Sequence, residues 1–222
     1  MKLNPKYDYK PITAETKKSG SRTYLTPSGG VPSVTTILSK TKDMTFLKEW
    51  KKRVGEKEAD KIVKRSINHG NIVHKNLENY ILEGTEPVGD LFSKLMTKKI
   101  IDNGLSKVDE IWGCEVSLFA EGLYAGTTDL VGVHTGDEAI MDFKNARSFR
   151  KPEWVTDYGL QTVAYAIAHN EMFDTNIRKG VIMLATQNGH YQEFVFEGEE
   201  FDRCCEEWAK RVETYYAKYG IR

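Results

Sequence analysis

Two β-strand patterns separated by a short turn constrain the fold of this chain more than any other feature. The segments AGTTDLVGVH and EAIMDFKNA are rich in Val, Ile, Thr and Phe, which are residue types that favour strands. Gly136-Asp137 lies between the two segments and is a suitable turn for a β-hairpin. We therefore expect a sheet built around this antiparallel pair.

The register of the hairpin decides which polar side chains meet. If Thr135 pairs with Glu138, Asp129 lies opposite Lys144, and Asp142 shares their face because it is two residues from Lys144. Directly opposed Cβ atoms are about 5 Å apart, and a one-residue slip would move Asp129 to the other face. This register predicts that two carboxylates and one ammonium group converge.

Two carboxylates beside a lysine suit the metal-dependent hydrolysis of a phosphodiester. Mg²⁺ prefers a few carboxylates, which Asp129 and Asp142 supply, and it lowers the pKa of a bound water. Lys144 can orient the attacking water or contact the phosphate. The alternative is an ordinary ion pair on an exposed sheet. The apolar residues 139–141 and Phe143 argue against it, because charges rarely occur in an apolar strand without partners.

The composition predicts one soluble globular domain. With 222 residues, 40% of them hydrophobic and 29% charged, the chain can bury a substantial core, and no run approaches membrane-spanning length. The segment MKLNPKYDYK lacks the apolar core of a signal peptide and the Arg-rich, acid-free character of a transit peptide. We expect a protein that stays in the cytoplasm of a bacterium or a phage-infected host cell and is not secreted.

The net charge of zero is unevenly distributed along the chain. Residues 1–66 contain 16 Lys and Arg against seven Asp and Glu, a net charge of +9, so the remainder carries −9. A nucleic-acid partner requires a local basic surface and not a basic total, and the run from Lys48 to Arg65 can supply one. Acidic residues interleave with this run, so a solvated helix face is an equally good interpretation.

The three cysteines are Cys114, Cys204 and Cys205. They contain no C-x-x-C pair and are too few to supply four ligands, so we expect no iron–sulfur cluster. The adjacent Cys204 and Cys205 lie in a helical pattern and are interpreted as reduced packing residues.

The other patterns predict helices first, then a three-stranded meander, a helix, a hairpin and a closing helix. Residues 1–20 read as irregular, and Arg22–Leu25 reads as a short strand. The predicted helices are 44–54, 56–82 with a break near 68–70, 90–103, 153–170 and 201–219, and the longer predicted strands are 111–120, 123–134, 138–146, 180–186 and 191–196. This order fits a single α/β domain with a central mixed β-sheet flanked by helices. We divide it into a basic N-terminal helical portion (1–66), a catalytic core (67–200) and a closing helix (201–222).

Two helical motifs supply further candidate residues. His74 and Glu78 share a helix face, so His74 can ligate a metal while Glu78 binds metal, orients His74 or forms a salt bridge. Gly70 before them permits a close backbone approach. Gln161 and Tyr165 also share a face, where Gln161 can bind a phosphate or the attacking water and Tyr165 can stack on a base or donate to a phosphate. Taken alone, each motif is more typical of structural residues.

Five more residues are candidates with a structural alternative. Glu115, on the strand before GTTD, can be a further acidic ligand or a buried partner of a basic side chain. Ser33 and Thr35 can donate to a DNA phosphate or cap a helix. Arg147 can contact a substrate phosphate or be solvated, and Trp154 can stack on a base or pack.

The motifs, taken in order, are G-x-x-x-H-x-x-x-E at Gly70–Glu78, E at Glu115, GTTD at Gly126–Asp129, DFK at Asp142–Lys144 and Q-x-x-x-Y at Gln161–Tyr165. This series resembles the PD-(D/E)XK nuclease superfamily in its RecB-type branch. Pro32–Thr35 and the N-terminal helices resemble the mitochondrial genome maintenance exonuclease group, which includes phage members. Thr128 stands where the name of the superfamily has a proline.

The resemblance implies a restriction-endonuclease-like fold, a Mg²⁺ or Mn²⁺ site, and hydrolysis of DNA from an end. It implies that His74, Asp129, Asp142 and the backbone carbonyl of Phe143 ligate the metal and that Lys144 is the catalytic lysine. Gln161 and Tyr165 match the catalytic Q-x-x-x-Y helix. The expected partner is DNA, single-stranded or with a free end, in phage or bacterial replication, recombination or repair. A single-strand-binding or recombination protein is a candidate partner.

Two other functions remain open from the sequence. An endonuclease on the same fold would cut circular as well as linear DNA. A catalytically silent DNA-binding accessory protein would bind DNA without metal, although such a protein has no need of clustered carboxylates near a phosphate.

Overall fold

The protein consists of nine strands and six α-helices in this computed structural model, which describes residues 2–16 and 20–220. The strands are β1 (Lys2–Leu3), β2 (Ala14–Thr16), β3 (Arg22–Thr26), β4 (Gly29–Pro32), β5 (Val108–Ala120), β6 (Tyr124–His134), β7 (Asp137–Ala146), β8 (Gly180–Thr186) and β9 (Tyr191–Phe196). The helices are α1 (Val34–Thr41), α2 (Thr45–Val54), α3 (Glu56–Glu83), α4 (Leu91–Asn103), α5 (Thr156–Phe173) and α6 (Gly198–Tyr219).

A six-stranded mixed sheet forms the centre of the fold, in the order β1-β5-β6-β7-β8-β9. Strands β5, β6 and β7 form an antiparallel meander, β8 and β9 form an antiparallel hairpin, and the pairs β1–β5 and β7–β8 are parallel. Because parallel neighbours need a crossover, α5 connects β7 to β8. The predicted α/β class with a central mixed sheet flanked by helices is confirmed.

Helices cover both faces of this sheet, so the fold has three layers. On one face α1, α5 and α6 pack against the sheet in a core that includes Ile37, Leu160 and Trp208. On the other face α3 and α4 pack through Leu77 and Met96. Burial of these large apolar side chains stabilises each interface by about 1.5–3 kcal/mol per side chain.

A second, three-stranded sheet of β2, β3 and β4 lies beside β6. Tyr24 on β3 contacts Thr127 on β6, with 3.4 Å between their hydroxyl oxygens, and Ser33 forms an isolated bridge with Ala125. This sheet therefore places the start of β3 and the start of α1 next to the strand that carries Asp129.

The predicted strands of the meander and the final hairpin are confirmed, whereas parts of the N-terminal prediction are wrong. Residues 1–20, predicted to be irregular, contain β1 and β2. These short edge strands are defined by backbone pairing and carry little sequence periodicity. The portion 1–66 is not only helical, because four strands precede α1. Helix α3 is also unbroken at 68–70, so the boundary between 66 and 67 falls inside a helix.

The register predicted for the central hairpin is wrong by two residues. His134 pairs with Asp137 and Leu130 with Met141, so the turn consists of Thr135 and Gly136. Both turn residues have positive φ, 51° and 89°, as a two-residue type I′ turn requires. Since side chains alternate along a strand, a shift of two residues keeps each one on its predicted face.

None of the helices in the described ranges is both long enough and apolar enough to cross a membrane. The three cysteines are free thiols. Cys204 is buried in the core beside α5, which confirms its interpretation as a packing residue.

Candidate active site

Pairing between β6 and β7 ends next to the aspartates of the GTTD and DFK motifs, Asp129 and Asp142. The last pair is Leu130 with Met141. Beyond it, Asp129 Oδ2 accepts a hydrogen bond from the backbone N–H of Phe143 at 2.5 Å. The side chain of Asp129 thus binds a main-chain donor of the neighbouring strand, which fixes its carboxylate beside Asp142.

Asp142 is bound by two side chains. Lys144 Nζ donates to Asp142 Oδ2. From helix α5, Gln161 Nε2 donates to Asp142 Oδ1, with 3.1 Å between the two atoms. Lys144 Nζ also lies 5.2 Å from the ring centroid of Tyr158, a distance typical of a cation–π contact. The predicted convergence of Asp129, Asp142 and Lys144 is therefore observed, with the Gln161 amide as a direct neighbour.

Helix α3 brings His74 to the same place from the opposite face of the sheet. His74 Nδ1 lies 3.0 Å from Asp129 Oδ1. One turn earlier, a Cβ atom on Gly70 would lie only 2.9 Å from Asn145 Oδ1, while Asn145 Nδ2 donates to the backbone oxygen of Ser66 at 3.3 Å. The close approach predicted at Gly70 is confirmed, and it brings α3 near the end of β7.

Glu115 joins His74 and Asp129 in one cluster. The β5–β6 register places Glu115 across from Asp129, and its φ of 52° lies in the left-handed region, which is strained for a residue with a side chain. One ligand atom from each of His74, Glu115 and Asp129 lies within 4.8 Å of the other two. Of the two roles open to Glu115, this position fits that of an acidic ligand.

The chemistry of this cluster fits a divalent cation. Carboxylate oxygens suit Mg²⁺ and Mn²⁺, and imidazole nitrogen is a common ligand of transition metals. Asp142 lies beside this cluster, where its two oxygens accept hydrogen bonds from Lys144 and Gln161, and metal binding by Asp142 stays a prediction. Phe143 contacts Asp129 through its N–H, and metal binding by its carbonyl stays a prediction.

The titratable groups of the site shift one another's pKa values. Burial opposes the charged form of His74, but the carboxylate of Asp129 outweighs it and raises the pKa of His74. Burial likewise opposes ionisation of Asp129, but His74 and Lys144 lower its pKa below the ordinary value. Burial raises the pKa of Asp142 to about 6, a shift that Lys144 opposes and Asp129 reinforces. Burial and the charge of Asp129 raise the pKa of Glu115 to about 7. The three carboxyl groups of the site, on Glu115, Asp129 and Asp142, thus outnumber its two basic groups, on His74 and Lys144.

The cluster opens onto a cleft of about 640 Å³. The cleft is lined by polar and charged side chains of α3, β3 and β5–β7, among them Arg22, Asn71, Lys75, Glu78, Thr127 and Asn145. A larger and mostly apolar groove of about 760 Å³ lies between α5 and α6 and contains none of the predicted site residues. The cluster residues His74, Glu115 and Asp129 all line the smaller, polar cleft.

Tyr165 and Glu78 have surroundings that differ from those expected for residues that bind DNA or metal. Tyr165 is buried, and its ring packs against Gly126, where a Cβ atom would lie 2.7 Å from the ring. A buried ring cannot stack on a base, so that part of the prediction is wrong. Glu78 lines the cleft, but its carboxylate binds Lys75 Nζ at 2.9 Å and lies outside the cluster of metal-ligand atoms. This supports the salt-bridge alternative for Glu78.

The four candidate substrate-binding residues lie outside the cleft lining. Ser33 is buried and caps α1, since its Oγ accepts from the N–H of Thr36 at 3.0 Å, which favours the capping alternative. Thr35 is exposed and shares a hydroxyl contact with Ser33 at 3.1 Å. Arg147 and Trp154 are exposed on the segment between β7 and α5. Contact of these two residues with DNA stays a prediction.

Asn145, Tyr158 and Arg22 are among the cleft residues that sequence reasoning missed. Asn145 directly follows Lys144, and Tyr158 lies three residues before Gln161, so their spacing could have indicated them. Arg22 carries no such signal, because it is more than 100 residues away in sequence from the strand that it faces.

Comparisons with known proteins give limited information. No protein-family model and no curated protein matches the chain. Among solved structures, it is similar to a protein from Eubacterium rectale provisionally named an exonuclease, with 10% identity, a TM-score of 0.48, and coverage of 71% of this chain and 69% of that one. It is also similar to the protein SSO0001, with 15% identity, a TM-score of 0.41, and coverage of 81% and 75% respectively. At these values the similarity carries no functional argument, so function has to be inferred from the side chains in the cleft.

Proposed function

We propose that the protein is a metal-dependent DNA exonuclease that acts on single-stranded ends. The observation that carries this proposal is the cluster of His74, Glu115 and Asp129, whose ligand atoms lie within 4.8 Å of one another, next to the Asp142–Lys144 pair. Metal ligands beside a lysine suit phosphodiester hydrolysis, because the ion activates water and the ammonium group offers a positive charge to the phosphate. The order of motifs that resembles RecB-type nucleases supports DNA as the substrate.

A divalent cation, Mg²⁺ or Mn²⁺, would be held by His74, Glu115 and Asp129, with Asp142 and the Phe143 carbonyl as further ligands. Such an ion supplies a water of lowered pKa and neutralises negative charge on the phosphate. Without such an ion the carboxylates repel DNA, which is itself an anion. DNA should therefore bind productively only when the ion is present.

The protein's own residues position the reacting groups. Gln161 donates to Asp142 at 3.1 Å and so fixes the orientation of that carboxylate. Lys144 is held between Asp142 and the Tyr158 ring, where its ammonium group can contact a phosphate oxygen or orient a water. Proximity to Asp142 and Asp129 raises the pKa of Lys144 despite its burial, so it acts as a cation and not as a base.

Degradation of end-labelled linear single-stranded DNA, with Mg²⁺ or with EDTA, tests the proposal. The proteins are wild type, Lys144→Ala and the control Lys210→Ala, which removes an exposed lysine of α6. Covalently closed circular single-stranded DNA is the parallel substrate. We expect loss of linear DNA only, dependent on Mg²⁺, abolished in Lys144→Ala and unchanged in Lys210→Ala.

The other outcomes assign the alternatives. Cut circles would indicate an endonuclease, and metal-independent binding without cleavage would indicate an accessory DNA-binding protein. Retained cleavage by Lys144→Ala would contradict the site. The proposed cellular role is in phage or bacterial replication, recombination or repair. A single-strand-binding protein or a recombination protein is the kind of partner that fits this role.

A further inference from the structure

Three Lys and Arg side chains line the cleft, and two of them are already bound to carboxylates. Lys144 binds Asp142, and Lys75 Nζ lies 2.9 Å from Glu78. Arg22 is exposed, and its guanidinium forms no ion pair with any residue in the ranges 2–16 and 20–220. Within the described part of the cleft wall, Arg22 is thus the cation available to an incoming anion.

The backbone of Arg22 is held from both sides by the cap of α1. Its N–H donates to Thr36 Oγ1 at 3.0 Å, and its carbonyl accepts from the N–H of Ser33 at 2.9 Å. Ser33 Oγ donates to Thr36 Oγ1 at 2.8 Å and accepts from the Thr36 N–H. The backbone that carries the Arg22 side chain is therefore fixed, so only the side chain itself has to be ordered when it binds a ligand.

We propose that Arg22 binds a phosphate of the DNA strand in the cleft, and that Ser33 and Thr36 are positioning residues that act through it. The inference rests on the proposed function. A guanidinium group offers a planar fork of donors that matches two phosphate oxygens, and it stays charged at any working pH. The part of the cleft that carries Arg22 would then attract the strand that the carboxylates repel.

Two sources of phosphate share this chemistry, namely an internal phosphodiester and a terminal monoester. The test therefore uses oligothymidylates that carry or lack terminal phosphates. Their binding is measured in Mg²⁺ by fluorescence anisotropy over a range of salt concentrations, in a Lys144→Ala background that blocks cleavage. Arg22→Ala and Arg22→Lys are compared with Arg203→Ala, which removes an exposed arginine of α6 that pairs with Glu200.

We expect Arg22→Ala to weaken binding by about tenfold or more, as the loss of a charge-assisted hydrogen bond does. The slope of log affinity against log salt should become shallower by about 0.7, the value for one phosphate contact on a single strand. Arg22→Lys should keep the slope and lose part of the affinity, and Arg203→Ala should match its parent. Equal losses on both oligonucleotides assign an internal phosphate, and a loss only with terminal phosphates assigns the monoester. Binding by Arg22→Ala that equals Arg203→Ala in affinity and slope overturns the inference.

The positioning role is tested by Thr36→Val, which removes the hydroxyl that binds the Arg22 N–H and keeps the side-chain shape. The substitution should weaken binding in the presence of Arg22 and have no further effect in Arg22→Ala. Equal effects in both backgrounds would mean that Thr36 is only structural.

Cleavage by otherwise unmodified protein separates this inference from the proposed function. If the wild type degrades linear DNA and Arg22→Ala retains full kcat/KM, only the inference fails. If the wild type cleaves no DNA but binds it through Arg22, the proposed function fails and the phosphate site stands.

Discussion

The buried imidazole of His169 makes folding stability depend on pH. His169 lies on α5 and is fully buried, with Nε2 2.9 Å from Tyr9 Oη and Nδ1 2.8 Å from Thr175 Oγ1. Burial, with a smaller contribution from the charge of Lys6, lowers the pKa of His169 from 6.5 to about 4. In the folded protein the ring is therefore neutral at physiological pH.

The size of the effect follows from the two pKa values. Between pH 6.5 and 4 the unfolded chain binds a proton at His169 that the folded protein does not, so stability is full above pH 6.5 and is lost as the pH falls. A pKa difference of about 2.5 corresponds to about 3 kcal/mol, at 1.36 kcal/mol for each pKa unit.

Urea unfolding of wild type and His169→Gln between pH 4 and 7.5 measures this contribution. The variant keeps a polar side chain that can bind both hydroxyl groups, but it does not titrate. Hydrogen bonds lower the pKa of Glu193 to about 2, so its contribution to the unfolding free energy is lost at more acidic pH. That contribution is the same in both proteins and cancels in their difference. We expect the free-energy difference between the proteins to change by about 3 kcal/mol across the range. Parallel stability curves would refute the reasoning.

Three further substitutions test the site and the packing beneath it. Glu115→Gln should weaken Mn²⁺ binding, followed by calorimetry, by at least about tenfold, whereas Glu86→Gln, at an exposed position, should bind as wild type; equal affinities would exclude Glu115 as a ligand. Gly126→Ala would place a Cβ atom 2.7 Å from the Tyr165 ring, so unfolding free energy should fall by about 1–3 kcal/mol, and an unchanged value would show that the ring can move. Ser33→Ala removes the cap of α1 and should lower the same quantity by about 1 kcal/mol in urea unfolding, a loss that would be absent if water replaced the hydroxyl.

The strands with strong periodic patterns could be predicted from sequence. The final hairpin has the predicted bounds, 180–186 and 191–196, because Val, Ile and aromatic residues fill both strands and Gln187-Asn188-Gly189 marks the turn. Strands β1 and β2 were not predictable, since their two and three residues are exposed and carry no alternation. The central turn was misplaced because Thr135 adopts a positive φ that sequence preferences reserve for Asn, Asp and Gly.

Grouping of Asp129, Asp142 and Lys144 was predictable, because it depends only on strand alternation. The burial of Tyr165 was not, because nearly every residue from Gly159 to His169 is buried and no polar face marks the orientation of the helix. The position of Arg22 depends on the second sheet packing beside β6, a long-range contact that no local pattern encodes.

The left-handed backbone of Glu115 sets thermostability against the proposed metal site. Glycine adopts a φ of 52° without strain, whereas any other L-residue there costs about 1–2 kcal/mol. Glycine at this position would therefore relax the strand and also delete one of three candidate ligands. Laboratory evolution for heat resistance alone would favour such a change, so a selection on this scaffold needs a simultaneous screen for activity. For the same reason, an acidic residue kept at this positive-φ position in other sequences of the same fold would indicate that they retain the proposed metal site.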